Sequence, residues 1–174
     1  KPEPVIRAAC DHLKDSHANI HRGSYDLSAA SEALYEKSKE AAAKLLNANR
    51  FEIVYTYNAT AAANLVAQTL AANGELKAGD AVIVSAAEHH ANIVPWFILR
   101  DRIGIEVRFV GVDENFGLDL ADFRAKYDAK VKAVSLTHCS NVTGAVFDLK
   151  AVSALLRDDT WFLVDASQAV PNFR

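Results

Sequence analysis

From residue 51 onward the chain alternates short apolar runs with helix-patterned segments, and this alternation constrains the fold more than any other feature. The runs fall at 51–56, 81–85, 106–110, 132–137 and 161–164; helical patterns occupy about 60–73, 92–102, 119–127 and 148–157. Strands separated by helices of this length predict βα units and a parallel sheet. The runs lack strict alternation of apolar and polar residues, as expected for strands covered on both faces. Gly79-Asp80 and Gly117 punctuate the boundaries, and Asp119 stands where it can cap a helix. The predicted class is α/β.

The first part of the chain reads differently. Val5, Ile6, Ala9, Cys10 and Leu13 recur at helical spacing behind Pro4, and a second helix rich in Ala, Glu, Lys and Leu is predicted over about 27–47. A polar stretch from Ser16 to Ser24 separates the two. The division expected is an N-terminal helical segment over 1–50 and an α/β domain over 51–174. With 174 residues, 51% of them hydrophobic, the chain can bury a true core, and 7 Gly and 4 Pro rule out collagen-like or low-complexity sequence. A net charge of −3 gives no reason to expect a nucleic acid or an anionic membrane as partner. No apolar run approaches the roughly 20 residues that cross a bilayer. Two cysteines, Cys10 and Cys139, suit a reducing cytoplasm better than a disulfide framework. The absence of any Met, including an initiator, leads us to expect a piece of a longer protein.

In open α/β sheets ligands bind beyond the carboxyl ends of the strands, so the residues following each run are the ones to inspect. They are Tyr57-Asn58-Ala59-Thr60-Ala61, Glu88-His89-His90-Ala91-Asn92, His138-Cys139-Ser140-Asn141-Val142-Thr143-Gly144 and Asp165-Ala166-Ser167-Gln168. Each has an ordinary structural explanation. Thr60 can be a helix N-cap, Asp165 can cap a turn, Asn141 can be turn chemistry, and Cys139 can be packing. Glu88-His89-His90 makes a poor metal site, because neighbours on an extended chain point opposite ways; no metal is expected. Together the clusters offer an anion site, an imidazole, amide donors and a carboxylate. That set suits a planar, phosphorylated, nitrogen-containing cofactor.

Three stretches, Glu88 to Trp96, His138 to Gly144 and Val164 to Pro171, closely resemble the class V aminotransferase family. Within it they resemble the Suf-type cysteine desulfurases and selenocysteine lyases; Asn19 to Gly23 and Asn64 to Gln68 match the same group. The resemblance runs through essentially the whole chain. It implies a three-layer sandwich with a mainly parallel sheet, the large domain of a fold type I pyridoxal-phosphate enzyme, here incomplete. It implies pyridoxal 5′-phosphate as cofactor, with its phosphate held by Thr60 and the backbone around Asn58 and Ala59 at a helix N-terminus. His89 would stack on the pyridine ring and move protons, as the one catalytic side chain expected here. Asp165 would pair with the ring nitrogen, and Gln168 and Asn141 would direct hydrogen bonds at the ring hydroxyl and its surroundings. His21 and Arg22 match a segment near the dimer interface and active-site mouth.

The family pattern implies a cysteine or selenocysteine substrate, a homodimer and a sulfur-acceptor protein. Relatives carry Gly-Thr-Thr-Glu at the phosphate loop, where this chain has Asn58-Ala59-Thr60-Ala61. An Asn that tolerates the left-handed backbone would preserve the turn. The family's Schiff-base lysine, in a Ser-x-His-Lys motif, and its sulfur-accepting cysteine have no counterpart here, so this chain alone is expected to be inactive. The leading expectation is part of a cysteine desulfurase. Alternatives are a selenocysteine lyase or another class V enzyme, and a non-catalytic scaffold that keeps the fold.

Overall fold

The computed structural model describes residues 1–173, which divide into two compact units, Lys1–Tyr55 and Thr56 onward. In the first, α1 (Glu3–Asp11) continues into a π-helical turn (His12–Ser16), and α2 runs from Asp26 to Leu46. Asn47 ends α2 in the left-handed conformation, φ 53°, with its N–H on the Ala43 carbonyl. The polar stretch between the helices is tied down by two buried serines of α2. Ser28 Oγ donates to the Asn19 carbonyl at 2.6 Å, and Ser31 Oγ donates to that of Ser16. His21 sits at φ 70°, bonds Glu32 through Nδ1 at 2.8 Å, and sets its ring edge against Tyr35. The His21 backbone N–H and imidazole hold the Glu32 carboxyl below its usual range.

The segment 51–56, predicted as a strand, is not one among the described residues. Arg50–Glu52 form a 3₁₀ turn, capped by a reciprocal pair of bonds between Asn49 and Glu52, and the chain then runs extended without a ladder partner. Phe51, Val54 and Tyr55 are exposed, so the apolar pattern that suggested a strand has no sheet to join.

The second unit holds a four-stranded, all-parallel sheet in the order β2-β1-β3-β4. Its strands are β1 (Ala81–Ser85), β2 (Glu106–Val110), β3 (Val131–Thr137) and β4 (Trp161–Asp165). The helices are α3 (Ala59–Ala72), α4 (Val94–Ile103), α5 (Leu120–Lys126) and α6 (Leu149–Ser153). The two-residue period of a strand sorts the core. Val82 and Val84 pack with Ala67, Leu70, Trp96 and Leu99 of α3 and α4; Ile83 of β1, with Val134 and Leu136 of β3, packs with Phe123 and Val152 of α5 and α6. β1 and all of β3 except Lys132 are buried, while the edge strands β2 and β4 are partly exposed. The result is a three-layer α/β sandwich. Gly104 ends α4 at φ 79°, a conformation that strains any side chain. On the outer edge, Arg108 of β2 pairs with Glu106 and Asp128, each contact 2.8–2.9 Å, a charged margin that discourages edge-to-edge pairing.

Chain order along the sheet reverses at β1. Connections lead from β1 outward to β2, then back past β1 to β3 and on to β4. The crevice between the carboxyl ends of β1 and β3 is therefore the topological switch point, where this architecture leaves room for a ligand. No helix among the described residues is long and apolar enough to cross a membrane.

Candidate functional site

All seven residues singled out from the sequence for cofactor contact line one cavity of about 290 Å³ at this crevice. Asn58, Ala59 and Thr60 come from the start of α3, His89 from the loop after β1, Asn141 from the loop after β3, Asp165 from the end of β4 and Gln168 from the turn that follows it. The sequence reading did not assign Ala91, Thr137, Cys139 or Ser167, which complete the lining. A second cavity of about 310 Å³ adjoins it between α3 and β4, faced mainly by Ala59, Ala62, Ala63, Val66 and Leu163.

The start of α3 is built differently from expectation. Asn58, not Thr60, is the N-cap, and its backbone is extended (φ −168°) rather than left-handed. Its Oδ1 accepts the Ala61 N–H at 2.8 Å. The cap uses the third amide of the turn and leaves those of Ala59 and Thr60 in the first turn, where a helix supplies no internal acceptor. The Thr60 side chain is free of the capping task and faces the cavity. A helix of fourteen residues thus aims its positive end and a hydroxyl at the crevice.

His89 caps the 3₁₀ turn His90–Asn92, and its Nδ1 accepts the Ala91 N–H at 3.1 Å. That bond makes Nδ1 an acceptor, so in the neutral ring the proton resides on Nε2. Asp165 closes β4 and begins a turn in which its Oδ1 accepts from both Ser167 N (3.0 Å) and Ser167 Oγ (2.5 Å). Both bonds fall on one oxygen, leaving Oδ2 available to a donor in the cavity. The turn-capping explanation of Asp165 and its functional reading are thus compatible.

Glu88 is the residue whose importance the sequence reading missed. Its Oε1 accepts from Ser85 Oγ at 2.6 Å and from Thr137 N at 2.8 Å, and its Oε2 accepts from Asn92 Nδ2 at 2.7 Å. Asn92 Oδ1 in turn accepts from the fully buried Ser135 Oγ at 2.6 Å. This carboxylate therefore staples the β1 end, the β3 end and the histidine loop together beneath the cavity floor. The available signal was a run of polar residues, Ser85, Asn92, Ser135 and Thr137, inside or beside otherwise apolar strands, since buried polar groups need partners.

Burial pushes the Glu88 carboxyl above its ordinary value, and the nearby Asp165 carboxylate adds to the shift, against the pull of its three donors. Folding makes this carboxyl harder to ionise than it is in the unfolded chain. The stability this confers is full below the ordinary carboxylate range and is lost as pH rises through the raised midpoint. Wild type should therefore lose thermal stability relative to Glu88→Gln as pH rises through that interval. A wild type that gained on the variant with rising pH would contradict this account of the Glu88 environment.

A parallel α/β sandwich with its polar groups gathered at the switch point is the cofactor-binding architecture of many enzymes, and fold alone does not choose among them. The choice comes from likeness to known proteins. The family model for class V aminotransferases matches residues 1–174, and the chain belongs to that family. A probable cysteine desulfurase of Synechocystis sp. is 38% identical over 175 residues, covering 99% of this chain and 41% of the relative. A cysteine desulfurase of Haloferax volcanii is 34% identical, covering 98% and 40%. Among solved structures, the apo cysteine desulfurase of Thermococcus onnurineus superposes with a TM-score of 0.88 at 32% identity, covering 95% of this chain and 41% of that one. An Escherichia coli cysteine desulfurase in an S-sulfonic acid form gives 0.85 at 32% identity, covering 98% and 43%. The chain thus spans about two-fifths of the length of the relatives it matches.

Proposed function

We propose that this cavity binds pyridoxal 5′-phosphate and that the chain is the cofactor-binding portion of a cysteine desulfurase, which converts cysteine to alanine and passes the sulfur to an enzyme thiol. In this reading residues 51–174 belong to the large domain, 1–50 form its N-terminal helical segment, and the whole enzyme works as a homodimer in the cytoplasm with a sulfur-acceptor partner. The observation that carries it is the convergence of seven residues, from the start of α3 and the segments after β1, β3 and β4, on one cavity of about 290 Å³.

The donor set fits the group at both poles. The α3 N-terminus and Thr60 offer amides, a hydroxyl and a helix dipole to a phosphate. Across the cavity, Asp165 offers an acceptor oxygen to a protonated ring nitrogen. When bound, the cofactor supplies an electron sink for charge developing at the substrate α-carbon. The protein's part is positional: Asp165 holds a proton on the ring nitrogen, His89 presents Nε2 for proton transfer, and Asn141 and Gln168 orient the ring by its hydroxyl. No lysine lines the cavity among the described residues, and Cys139 is the one thiol at its wall. The chain by itself is therefore expected to release no alanine from cysteine.

The test is a titration with 4′-deoxypyridoxine 5′-phosphate, which keeps the ring nitrogen, hydroxyl and phosphate but cannot form adventitious links to surface lysines. Wild type should bind it, and Asp165→Asn should weaken binding roughly tenfold, as expected for losing one charge-assisted bond. A wild type that fails to bind, or an Asp165→Asn variant that binds as well, would overturn the assignment.

A further inference from the structure

Glu88 is a half-buried carboxylate whose hydrogen-bond partners among the described residues carry no positive charge. Its three partners are a hydroxyl, an amide side chain and a backbone N–H. None of the ion pairs among the described residues involves it. Thr137, which Glu88 bonds, pairs in register with Asp165 at the end of β4, and Asp165 adds a second negative group nearby. From β1 and β3 it meets only Ser85 and Thr137, and from the 3₁₀ turn only Asn92, with His89 and His90 following in its own loop.

Even partial withdrawal of a carboxylate from water is costly, and proteins usually offset that cost with a cation. Here Asp165 stands in the cavity wall and Glu88 just outside it, bonded to Thr137, the wall residue that pairs with Asp165 across β3 and β4, and none of the ion pairs among the described residues reaches either carboxylate. The opposite pole, at α3, is short of negative charge. A ligand that satisfies both must be anionic at one end and cationic at the other. We infer that Glu88 is a positioning residue whose charge, held on Thr137 beside the end of β4, adds to that of Asp165 and makes the cavity select ligands with a cationic ring nitrogen over neutral rings of the same shape. The inference rests on the cofactor reading above and deepens it, by giving the preference for the protonated ring a second source beyond the direct Asp165 contact.

Glu88→Gln isolates the charge. Gln keeps the length, its Oε1 can accept from Ser85 and Thr137, and rotation of the Asn92 amide would present an acceptor to its new Nε2, with Ser135 Oγ then accepting from Asn92. The experiment compares two probes on the full chain: 4′-deoxypyridoxine 5′-phosphate, and its benzene analogue with C–H in place of the ring nitrogen. Wild type should prefer the pyridine probe, and Glu88→Gln should lower affinity for it by about three- to tenfold while leaving the benzene analogue unchanged or slightly tighter. Equal losses for both probes would mean that Glu88 acts only by holding the loop, and no loss for either would mean its charge does not reach the ring; each overturns the inference.

A ligand-free measurement separates this from the cofactor reading. Followed by carboxyl ¹³C resonances, the Glu88 midpoint should fall when Asp165→Asn removes the neighbouring charge. An unchanged midpoint overturns the electrostatic coupling even if wild type binds the probe. Conversely, a falling midpoint in a protein that binds neither probe supports the two-carboxylate pole and tells against the cofactor reading alone.

Discussion

Asp165→Ala is expected to lower cysteine turnover by about 10²–10³-fold or more in a desulfurase containing this chain, the scale on which active sites lose rate when a preorganised electrostatic partner is removed. The substitution is expected to leave the fold intact. Asp165 sits at the last position of an edge strand, and its side chain bonds only the neighbouring Ser167, at 3.0 and 2.5 Å. Thermal unfolding should therefore change little while alanine release collapses. Turnover near wild type would show that the ring nitrogen is not held here. Loss of turnover with equal loss of stability would place Asp165 among the structural residues.

Asn92→Ala should act in the opposite sense, through the fold before the chemistry. Asn92 is 5% exposed and bridges Ser135 Oγ at 2.6 Å to Glu88 Oε2 at 2.7 Å. Truncation removes a donor from the half-buried Glu88 carboxylate and the acceptor from the buried Ser135 hydroxyl. Hydrogen bonds to charged groups are worth about 1.5–3 kcal/mol, and a stranded neutral partner costs about 1–3 kcal/mol more, so a destabilisation of about 3–4 kcal/mol is expected. Denaturant unfolding measures it directly. A change below about 1 kcal/mol would show that the network beneath the cavity floor contributes little.

The sheet was readable from the sequence because its strands are short apolar runs set between helix-patterned segments. The apolar runs at 81–85 and 106–110 coincide with β1 and β2, and those at 132–137 and 161–164 fall one residue short of β3 and β4. The run at 51–56 has the same composition and is not a strand, since a strand exists only where a neighbour supplies its hydrogen bonds, and Val54 stays 70% exposed. The region of the site was readable by position: each of the four polar stretches inspected contributes at least one residue to the same cavity, although Tyr57, Glu88, His90 and His138 do not line it. Roles within it were harder to see. Thr60 looked like the cap and Asn58 like the left-handed turn, whereas Asn58 caps and its backbone is extended. That distinction depends on a single φ angle, which residue type biases without determining. Glu88 escaped because its three partners come from positions 85, 92 and 137, and a contact between a loop and a strand 49 residues away leaves no local pattern.

The N-terminal unit carries a separate lesson. Its helices follow from Ala-, Leu- and Lys-rich sequence, yet among the described residues only Ser28, Ser31 and Ala43 of α2 are buried and α1 buries none. Val5, Ile6, Leu13, Leu34 and Leu45 each remain at least 45% exposed. Helical periodicity thus predicted the elements correctly and said nothing of what covers their apolar faces.

The most direct test of the central claim is a backbone amide NMR map of the chain on adding 4′-deoxypyridoxine 5′-phosphate. The account predicts the largest shifts at Ala59, Thr60 and Ala61, from the phosphate, and at Asp165 to Gln168, from the ring, with His89 and Asn141 moving between them. Shifts confined to the groove beside β2, at Glu106 to Asp128, or an absence of shifts at saturating probe, would contradict it.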